Sequence, residues 1–247
     1  MSEVTVTGMV LSASPIGEYD RRVVFLTKER GKISAFAKGA QKPNSTFIGV
    51  TSPFCFGEFT FYEGKNSYTL KTARISNYFE ALRTDVEGAY YGFYFLDLAG
   101  YYSREAVEAG DLLKLLYQTL RALLNPRLNN RMIRYIYELK ILCISGEAPQ
   151  VFECISCGEP NKEAIFCVRR GGLVCPDCRR AGDKGRKLSP AALYALQYIV
   201  SSPVEKLYTF VVNEEVLGEL GDVVGEYVNA YVEKSFKSRE ILESIVG

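Results

Sequence analysis

The chain contains no histidine among its 247 residues. This absence excludes Ser–His–Asp and Cys–His nucleophile pairs, the His-Glu-x-x-His zinc site and the commonest general base of enzymes. The sequence also lacks the phosphate loop Gly-x-x-x-x-Gly-Lys-[Ser/Thr] and the dinucleotide fingerprint Gly-x-Gly-x-x-Gly. Carboxylate chemistry stays open, although nothing marks a pair of acidic residues for it. We therefore expect a protein that is not an enzyme, with a carboxylate-based nuclease as a weaker alternative.

Long apolar runs are absent as well, and none reaches the roughly 18 residues that a membrane span needs. The first five residues, Met-Ser-Glu-Val-Thr, do not follow the basic, apolar and small-residue order of a signal peptide. Apolar residues make up 47% of the chain and charged residues 24%, as in soluble globular proteins. These features predict a cytoplasmic protein.

The N-terminal third has the pattern of β-structure. Apolar residues alternate with polar ones in short segments, and glycine-containing turns separate the segments at intervals of about 8 to 12 residues. This spacing predicts a small barrel or sandwich, and five strands within about 75 residues would fit an OB-type barrel. We predict an OB-fold domain over residues 1–80. The predicted strands lie around Val4–Leu11, Val23–Leu26, Ile33–Ala37, Phe54–Tyr62 and Tyr68–Thr72.

From residue 81 onward, apolar residues recur at helical spacing. We predict an α-helical domain over residues 81–247, which makes the whole chain an α+β multidomain protein. The stripes are expected to form a helical core, and any one of them could instead be a partner groove. Residues with N-capping side chains stand before the predicted helices. They are Asp85, Asp111, Ser189 and Asn213, and Ser189 is followed by Pro190, a favoured first residue of a helix. A further helix is predicted from about Arg131 to Ser145.

Four of the seven cysteines form two Cys-x-x-Cys pairs with 17 residues between them. Two cysteines three residues apart across a tight turn can direct both sulfurs at one ion, and two such turns complete a tetrahedron. Gly158 and Gly172 are expected to permit these close turns. The predicted ligands of one structural zinc ion are Cys154, Cys157, Cys175 and Cys178, in a module inserted at about residues 150–187.

Other interpretations of the pairs are weaker. Disulfides need an oxidising compartment, and a thioredoxin-like site explains one Cys-x-x-Cys pair but not two. Iron could occupy the same four ligands as zinc. Cys55, Cys143 and Cys167 lie among apolar residues, and we expect them to be small buried side chains rather than ligands.

Basic residues are concentrated in two segments. Residues 1–80 carry ten basic and seven acidic residues, a net charge of +3, and residues 151–187 carry eight and five, also +3. Residues 188–247 have a net charge of −5, so we expect an anionic partner on one side of the protein. The candidate DNA-binding residues are the basic residues near the predicted turns of the barrel and beside the cysteine pairs. They are Arg21, Arg22, Lys28, Arg30, Lys32, Lys38, Lys42, Arg169, Arg170, Arg179 and Arg180.

Aromatic residues accompany the barrel cations. OB barrels hold single strands with cationic side chains along a groove and aromatic platforms on which bases stack, and Phe36, Tyr62 and Tyr68 are candidate platforms. One alternative is an ordinary solvated surface over core aromatics. Another is a zinc-stabilised protein-interaction scaffold in which DNA binding is incidental. Arg179 and Arg180 could also only neutralise the thiolates.

The ordered set of motifs resembles one known family over nearly the whole chain, the RecO family of bacterial recombination mediators and DNA repair proteins. No single motif is specific, but their order is. Besides the two cysteine pairs, the motifs are Gly8-Met-Val-Leu-Ser-Ala-Ser-Pro-Ile-Gly-Glu-Tyr-Asp20, Thr27-Lys-Glu-Arg-Gly-Lys32, Ala37-Lys-Gly-Ala-Gln-Lys-Pro43, Ser145-Gly-Glu-Ala-Pro149, Arg170-Gly-Gly-Leu-Val-Cys175 and Leu188-Ser-Pro190.

The resemblance implies an N-terminal OB domain, a helical domain and a zinc-binding insertion held by the four cysteines. It implies binding of single- and double-stranded DNA, annealing of strands, and loading of RecA onto strands coated by single-strand-binding protein, in a cytoplasmic, nucleoid-associated setting. The expected partner is RecR, with RecF as a functional associate. Lys38 and Lys42 match the basic positions of the family's Lys-Gly-Ala-x-Lys stretch.

Overall fold

The computed structural model describes residues 2–65, 67–160 and 163–246. Within these residues a β-rich N-terminal part is followed by a mostly helical part, and contacts divide the chain into two compact units. The strands are β1 (Ser2–Ile16), β2 (Asp20–Thr27), β3 (Gly31–Ala37), β4 (Phe56–Glu63), β5 (Tyr68–Asn77), β6 (Ile165–Cys167) and β7 (Gly172–Val174). The helices are α1 (Phe47–Val50), α2 (Glu80–Thr84), α3 (Val86–Tyr102), α4 (Gly110–Leu123), α5 (Asn130–Ile144), α6 (Pro190–Ser201), α7 (Glu214–Tyr231) and α8 (Lys237–Val246).

Strands β1 to β5 close into a barrel in the order β1-β2-β3-β5-β4. The long strand β1 pairs with β2 along one edge and with β4 along the other, and its register with β2 shifts between Val10 and Ser12. The barrel is closed by a short parallel pairing of β3 with β5, in which Ala35 faces Tyr68 and Phe36 faces Thr69. Five strands in this order form an OB-type barrel, so the predicted fold class is confirmed.

Alternate side chains along each strand point inward and fill the barrel. Inward positions on each strand carry Val, Ile, Leu, Phe or Ala, and these residues form one buried cluster. At its centre the ring of Phe25 lies 4.8 Å from that of Phe59 and 5.2 Å from that of Phe61, centroid to centroid, with tilted or edge geometry. Aromatic pairs in such geometry add to the stability of area burial. The core therefore accounts for the closed barrel without any need for charged contacts.

The first compact unit comprises the chain up to Leu120 and the segment from Phe236 onward. Helix α8 packs against α3 within this unit. The Phe236 ring, just before α8, contacts Tyr94 and Tyr101 edge-on, and the Ser238 hydroxyl donates to the Asp97 carboxylate over 2.6 Å. The C-terminal segment thus returns to the unit that contains the barrel. The sequence pattern did not predict α8.

The second unit, Arg121–Ser235, contains α5, α6, α7 and the cysteine module. Helix α5 packs against both α6 and α7. Lys140 lies on the buried face of α5, where its ammonium donates to the carbonyls of Ile199, Val200 and Ser202 over 2.7–3.2 Å. These carbonyls end α6 and have no helical partner for their lone pairs. The buried Lys140 therefore caps the C-terminal end of α6.

Three of the four predicted capping residues are confirmed. The Asp85 side chain accepts from the Gly88 N–H, that of Ser189 from Ala192 and that of Asn213 from Val216. Asp111 is different, because α4 begins at Gly110 and Asp111 lies inside its first turn. The predicted domain boundary near residue 80 stays a prediction. Among the described helices, none combines the length and apolar composition needed to cross a membrane.

Candidate metal centre and nucleic-acid interface

The four sulfurs of Cys154, Cys157, Cys175 and Cys178 lie within 4.8 Å of one another. The Sγ atoms of Cys157 and Cys175 are 3.9 Å apart. A zinc ion bound at roughly 2.3 Å by four sulfurs places neighbouring sulfurs about 3.8 Å apart. The cluster therefore has the size that a tetrahedral zinc–thiolate site requires. Two turns more than 15 residues apart in sequence come together to form it.

Two tight turns hold the sulfur pairs. After Cys157 the chain turns back at Gly158, whose φ is +74° and whose N–H donates to the Cys154 carbonyl over 2.8 Å. The second pair lies directly after β7, and its turn is closed by a hydrogen bond from the Cys178 N–H to the Cys175 carbonyl over 3.1 Å. Positive φ favours glycine, so the expectation for Gly158 is confirmed.

Gly172 has a different role from the one predicted. The residue with positive φ in this hairpin is Gly171, at +72°. At Gly172 a Cβ atom would come within 2.4 Å of the Gln150 carbonyl oxygen. Gly172 is therefore needed for close approach of two backbone segments, which docks the hairpin β6–β7 beside the first cysteine turn.

Local hydrogen bonds prepare the site for a cation. Burial opposes ionisation of Cys154, but backbone N–H groups of Cys175, Cys157 and Ser156 outweigh burial and lower its pKa to about 6. Hydrogen bonds with the sulfurs of Cys175 and Cys157, together with burial, raise the pKa of Cys178 to about 12, and the charge of the nearby Cys154 thiolate adds to this effect. A divalent ion supplies the opposing charge, and four soft thiolates suit zinc better than calcium or magnesium. The residues present fit a structural zinc ion.

The remaining cysteines lie apart from this cluster. Cys55 and Cys167 are buried, as expected of small apolar side chains. Cys143 is half-buried, and burial raises its pKa to about 11.

Lys38 and Lys42, the two lysines of the Lys-Gly-Ala-x-Lys stretch, are exposed on the loop that follows β3. Asp20 shapes this loop: its carboxylate accepts from the Gly39 N–H over 2.7 Å, and its carbonyl accepts from the Gln41 side chain over 2.9 Å. Gly39 has a φ of +67°. The two lysines therefore project from a loop whose backbone is held against the β1–β2 turn.

The other predicted barrel cations fall into two groups. Arg22 and Lys28 are exposed, and the Arg22 guanidinium donates to the Ser34 hydroxyl over 2.8 Å. Arg21, Arg30 and Lys32 contact the protein itself. Their partners are the Thr51 hydroxyl for Arg21, the Glu63 carboxylate for Arg30 and the Gly100 carbonyl for Lys32.

Two of the four predicted cations of the cysteine module, Arg170 and Arg179, use their side chains to hold the module together. Arg170 bridges the Asp183 carboxylate at 2.8 Å and the Ser156 hydroxyl at 2.6 Å, so it ties the first cysteine turn to the segment after the last ligand. The Arg179 guanidinium donates to the Glu163 carbonyl, and the backbone N–H of Arg180 donates to the Asp183 carboxylate. Arg169 is exposed on the short turn between β6 and β7.

Tyr19 is a candidate that the sequence pattern did not single out. It is 45% exposed on the β1–β2 turn, and the Lys42 ammonium lies 5.5 Å from the centre of its ring. Gly17 predicts the turn from the sequence, but only the folded structure brings Lys42 next to Tyr19.

A closed OB-type barrel, joined to helices that carry a four-cysteine cluster able to hold a metal ion, defines a class of two-part proteins. Comparison with known proteins shows which family within this class the chain matches. Residues 1–79 match the family model described as Recombination protein O N terminal, and residues 83–240 match Recombination protein O C terminal.

Curated relatives agree along the whole chain. The chain is 32% identical over 247 residues to the DNA repair protein RecO of Acetivibrio thermocellus, covering 99% of this chain and 98% of that protein. It is 30% identical over 234 residues to that of Clostridium novyi, covering 94% and 91%, and 29% over 240 residues to that of Alkaliphilus metalliredigens, covering 96% and 98%. The chain belongs to the RecO family of DNA repair proteins.

Proposed function

We propose that this protein is a DNA-binding recombination mediator without enzymatic turnover. It binds single- and double-stranded DNA, anneals complementary strands, and with RecR helps to load RecA onto strands coated by single-strand-binding protein. The observation that carries the proposal is the OB barrel with exposed Lys38 and Lys42 on a loop fixed by Asp20. Membership of the RecO family supports it.

The mechanism needs only binding. Lysine and arginine side chains at phosphates release condensed counterions, which supplies affinity that is independent of sequence and weakens with salt. Because such contacts are the same on single and double strands, one surface can hold a strand and its complement in turn. Two strands held close together at neutralised phosphates repel each other less, which favours annealing.

We also propose that Cys154, Cys157, Cys175 and Cys178 bind one structural zinc ion. Four protein ligands leave no open coordination position, so the ion activates no water and serves to stabilise the module. The fit of the sulfur spacing to a tetrahedral site supports the assignment. Elemental analysis of the purified protein is expected to give one zinc per chain, and iron at one per chain would replace zinc in this proposal.

A fluorescein-labelled oligonucleotide titration tests DNA binding. At moderate salt, we expect binding of both a single strand and a duplex at concentrations well below high micromolar, with affinity that falls as salt rises. If no binding is observed below high micromolar concentration, the mediator proposal is wrong. Incubation of DNA with protein and magnesium is expected to leave the DNA intact.

The second candidate function, a zinc-stabilised protein-interaction scaffold, is favoured by one feature of the second unit. A cavity of about 260 Å³ lies between the N-terminal half of α5 and the segment before α7. Its wall includes apolar Met132, Ile133 and Leu217, and Arg127 and Glu214 also line it. A mixed apolar and charged cavity of this kind suits a peptide side chain. Failure to bind DNA in the titration above would favour the scaffold.

A further inference from the structure

One row of residues crosses the barrel from strand to strand on its outer face. Tyr62 of β4 pairs with Thr69 of β5, Thr69 pairs with Phe36 of β3, and Phe36 pairs with Arg22 of β2. Residues that pair directly across neighbouring strands lie on the same face of a sheet. We call Tyr62, Thr69, Phe36 and Arg22 the cross-strand row.

The neighbours of the row show which face it occupies. Phe61, Leu70, Ala35 and Val23, each adjacent in sequence to a member of the row, belong to the buried barrel core. Because successive side chains of a strand point to opposite faces, the row faces away from the core. The Phe36 side chain is accordingly 38% exposed.

The aromatic residues of this face each lie beside a cation. The Lys71 ammonium lies 5.2 Å from the centre of the Tyr62 ring, and Arg22 is the direct cross-strand partner of Phe36. Lys71 can face outward next to Thr72 because β5 has a register shift opposite Thr60 and Phe61. A single exposed aromatic residue is ordinary on a protein surface. Two aromatics in one row, each with a cation at hand, form the pattern that holds a single-stranded nucleic acid.

Tyr68, the third aromatic platform predicted from the sequence, belongs elsewhere. It packs against the core cluster, its ring meets that of Phe61 edge-on at 6.0 Å, and its hydroxyl donates to the Glu63 carboxylate over 3.2 Å. The structure thus separates an outward pair, Phe36 and Tyr62, from an inward tyrosine only one residue from the row.

We propose that Phe36 and Tyr62 stack bases of a bound single strand, and that this row, rather than the loop lysines, distinguishes single strands from duplex. The inference rests on the proposed DNA binding and deepens it. Phosphates are presented by both forms of DNA, whereas base faces are available only in a single strand. The two rings are separated by two strand spacings, about 10 Å, well within the span of roughly 4 to 16 nucleotides that one OB barrel covers.

Lys71 changes its partner in this scheme. An exposed cation–π contact is weaker than the stacking of a base on an aromatic ring, so an arriving base displaces the Lys71 ammonium from the face of Tyr62. The displaced ammonium then meets a phosphate of the same strand. Glu3, whose carboxylate lies 2.5 Å from the Lys71 ammonium, keeps the lysine close to the ring until the strand arrives.

A tryptophan reporter tests base contact directly. The chain contains no tryptophan, so Phe36→Trp creates the only indole in the protein. We expect an oligo(dT) strand to quench its emission as the strand binds, and an abasic strand of equal length or a duplex to bind without comparable quenching. Equal emission with all three probes, at concentrations where fluorescein anisotropy shows binding, would overturn the stacking role.

A double variant tests specificity. For Phe36→Ala/Tyr62→Ala we expect single-strand affinity to fall by at least roughly tenfold, while duplex affinity and the salt slope are unchanged, since stacking releases no counterions. Tyr194→Ala, which removes an exposed tyrosine of α6, is the matched control and should change neither. Equal losses on single strand and duplex, or no loss on either, would contradict the row while leaving the proposed function intact. Absence of DNA binding by the unaltered protein would reject both.

Discussion

The barrel segment and the cysteine module carry the same net charge, but their basic residues have different roles. Residues 1–80 and residues 151–187 each have a net charge of +3. In the module, Arg170 is paired with Asp183, Arg186 with Asp222 and Lys187 with Glu163. In the barrel, Arg30, Lys71 and Arg74 pair with Glu63, Glu3 and Glu58. Lys38 and Lys42 are exposed on a loop held by Asp20. The net charge of a segment therefore does not locate an anion-binding site, because acidic neighbours decide which cations remain available.

The different sizes of the two interiors explain why the basic residues have different roles. The module has two three-residue strands and a small apolar interior that includes Phe166, Leu173 and Val174, and small folds without a sufficient core need metal or other cross-links. Ion pairs and a four-cysteine site supply these. The barrel has a closed phenylalanine-rich core, so its loop cations are not needed for folding.

The largest expected effect on stability comes from the metal ligands. Cys154→Ser removes one of four thiolates, and we expect loss of the zinc ion and destabilisation of the module by more than about 4 kcal/mol, because metal binding to a closed thiolate site is folding energy. Elemental analysis and thermal melting followed by circular dichroism measure both. The barrel should stay folded, since its core lies in the other compact unit.

Cys143→Ser is the matched control. Cys143 lies in α5 and outside the four-sulfur cluster, so this variant should keep one zinc ion. Full zinc content and unaltered melting in Cys154→Ser would show that this cysteine is not a ligand.

An intermediate effect is expected at Arg170. Arg170→Gln removes the bridge between Asp183 and Ser156, which fastens one cysteine turn to the segment after the other. We expect the melting temperature to fall by several degrees with no change in the salt dependence of DNA binding, because this cation is structural. Arg169→Gln, at the exposed neighbouring position, should melt like the unaltered protein. A lower salt slope in Arg170→Gln would instead make Arg170 a phosphate contact.

The smallest effect on stability is expected at Asp20. Asp20→Ala leaves the Gly39 N–H without its carboxylate acceptor, at a cost of about 1 to 2 kcal/mol, measured by urea unfolding. DNA affinity should fall modestly because the loop that carries Lys38 and Lys42 becomes less ordered. Asp20→Asn retains an oxygen acceptor and should recover most of both. If Asp20→Ala binds DNA as well as the unaltered protein, the fixed loop is not part of the site.

Local signals made much of the fold predictable. Five strands follow from alternation, and three helix starts follow from Asp85, Ser189 and Asn213, because each signal and its structural effect lie within a few residues. The cysteine cluster follows from spacing for the same reason. Motif order indicated the family.

Contacts between distant residues were not predictable. Phe36 and Tyr62 share a face only because β3 and β5 pair in a register that closes the barrel. Arg186 pairs with Asp222, 36 residues further along the chain, and no local pattern distinguishes it from the exposed Lys184. Which cations are available to DNA is therefore a property of the tertiary structure.

The salt dependence of oligonucleotide binding tests the central claim most directly. Lys38→Ala/Lys42→Ala should lower the slope of log K against log salt by roughly 0.7 per lost contact on a single strand and 0.9 on a duplex, with an unchanged melting temperature. Arg186→Ala/Lys187→Ala removes the same charge from the cysteine module, where Arg186 pairs with Asp222 and Lys187 with Glu163, and should leave the slope as it was. Equal slopes in the first variant and the unaltered protein, or a reduced slope in the second variant alone, would contradict the account.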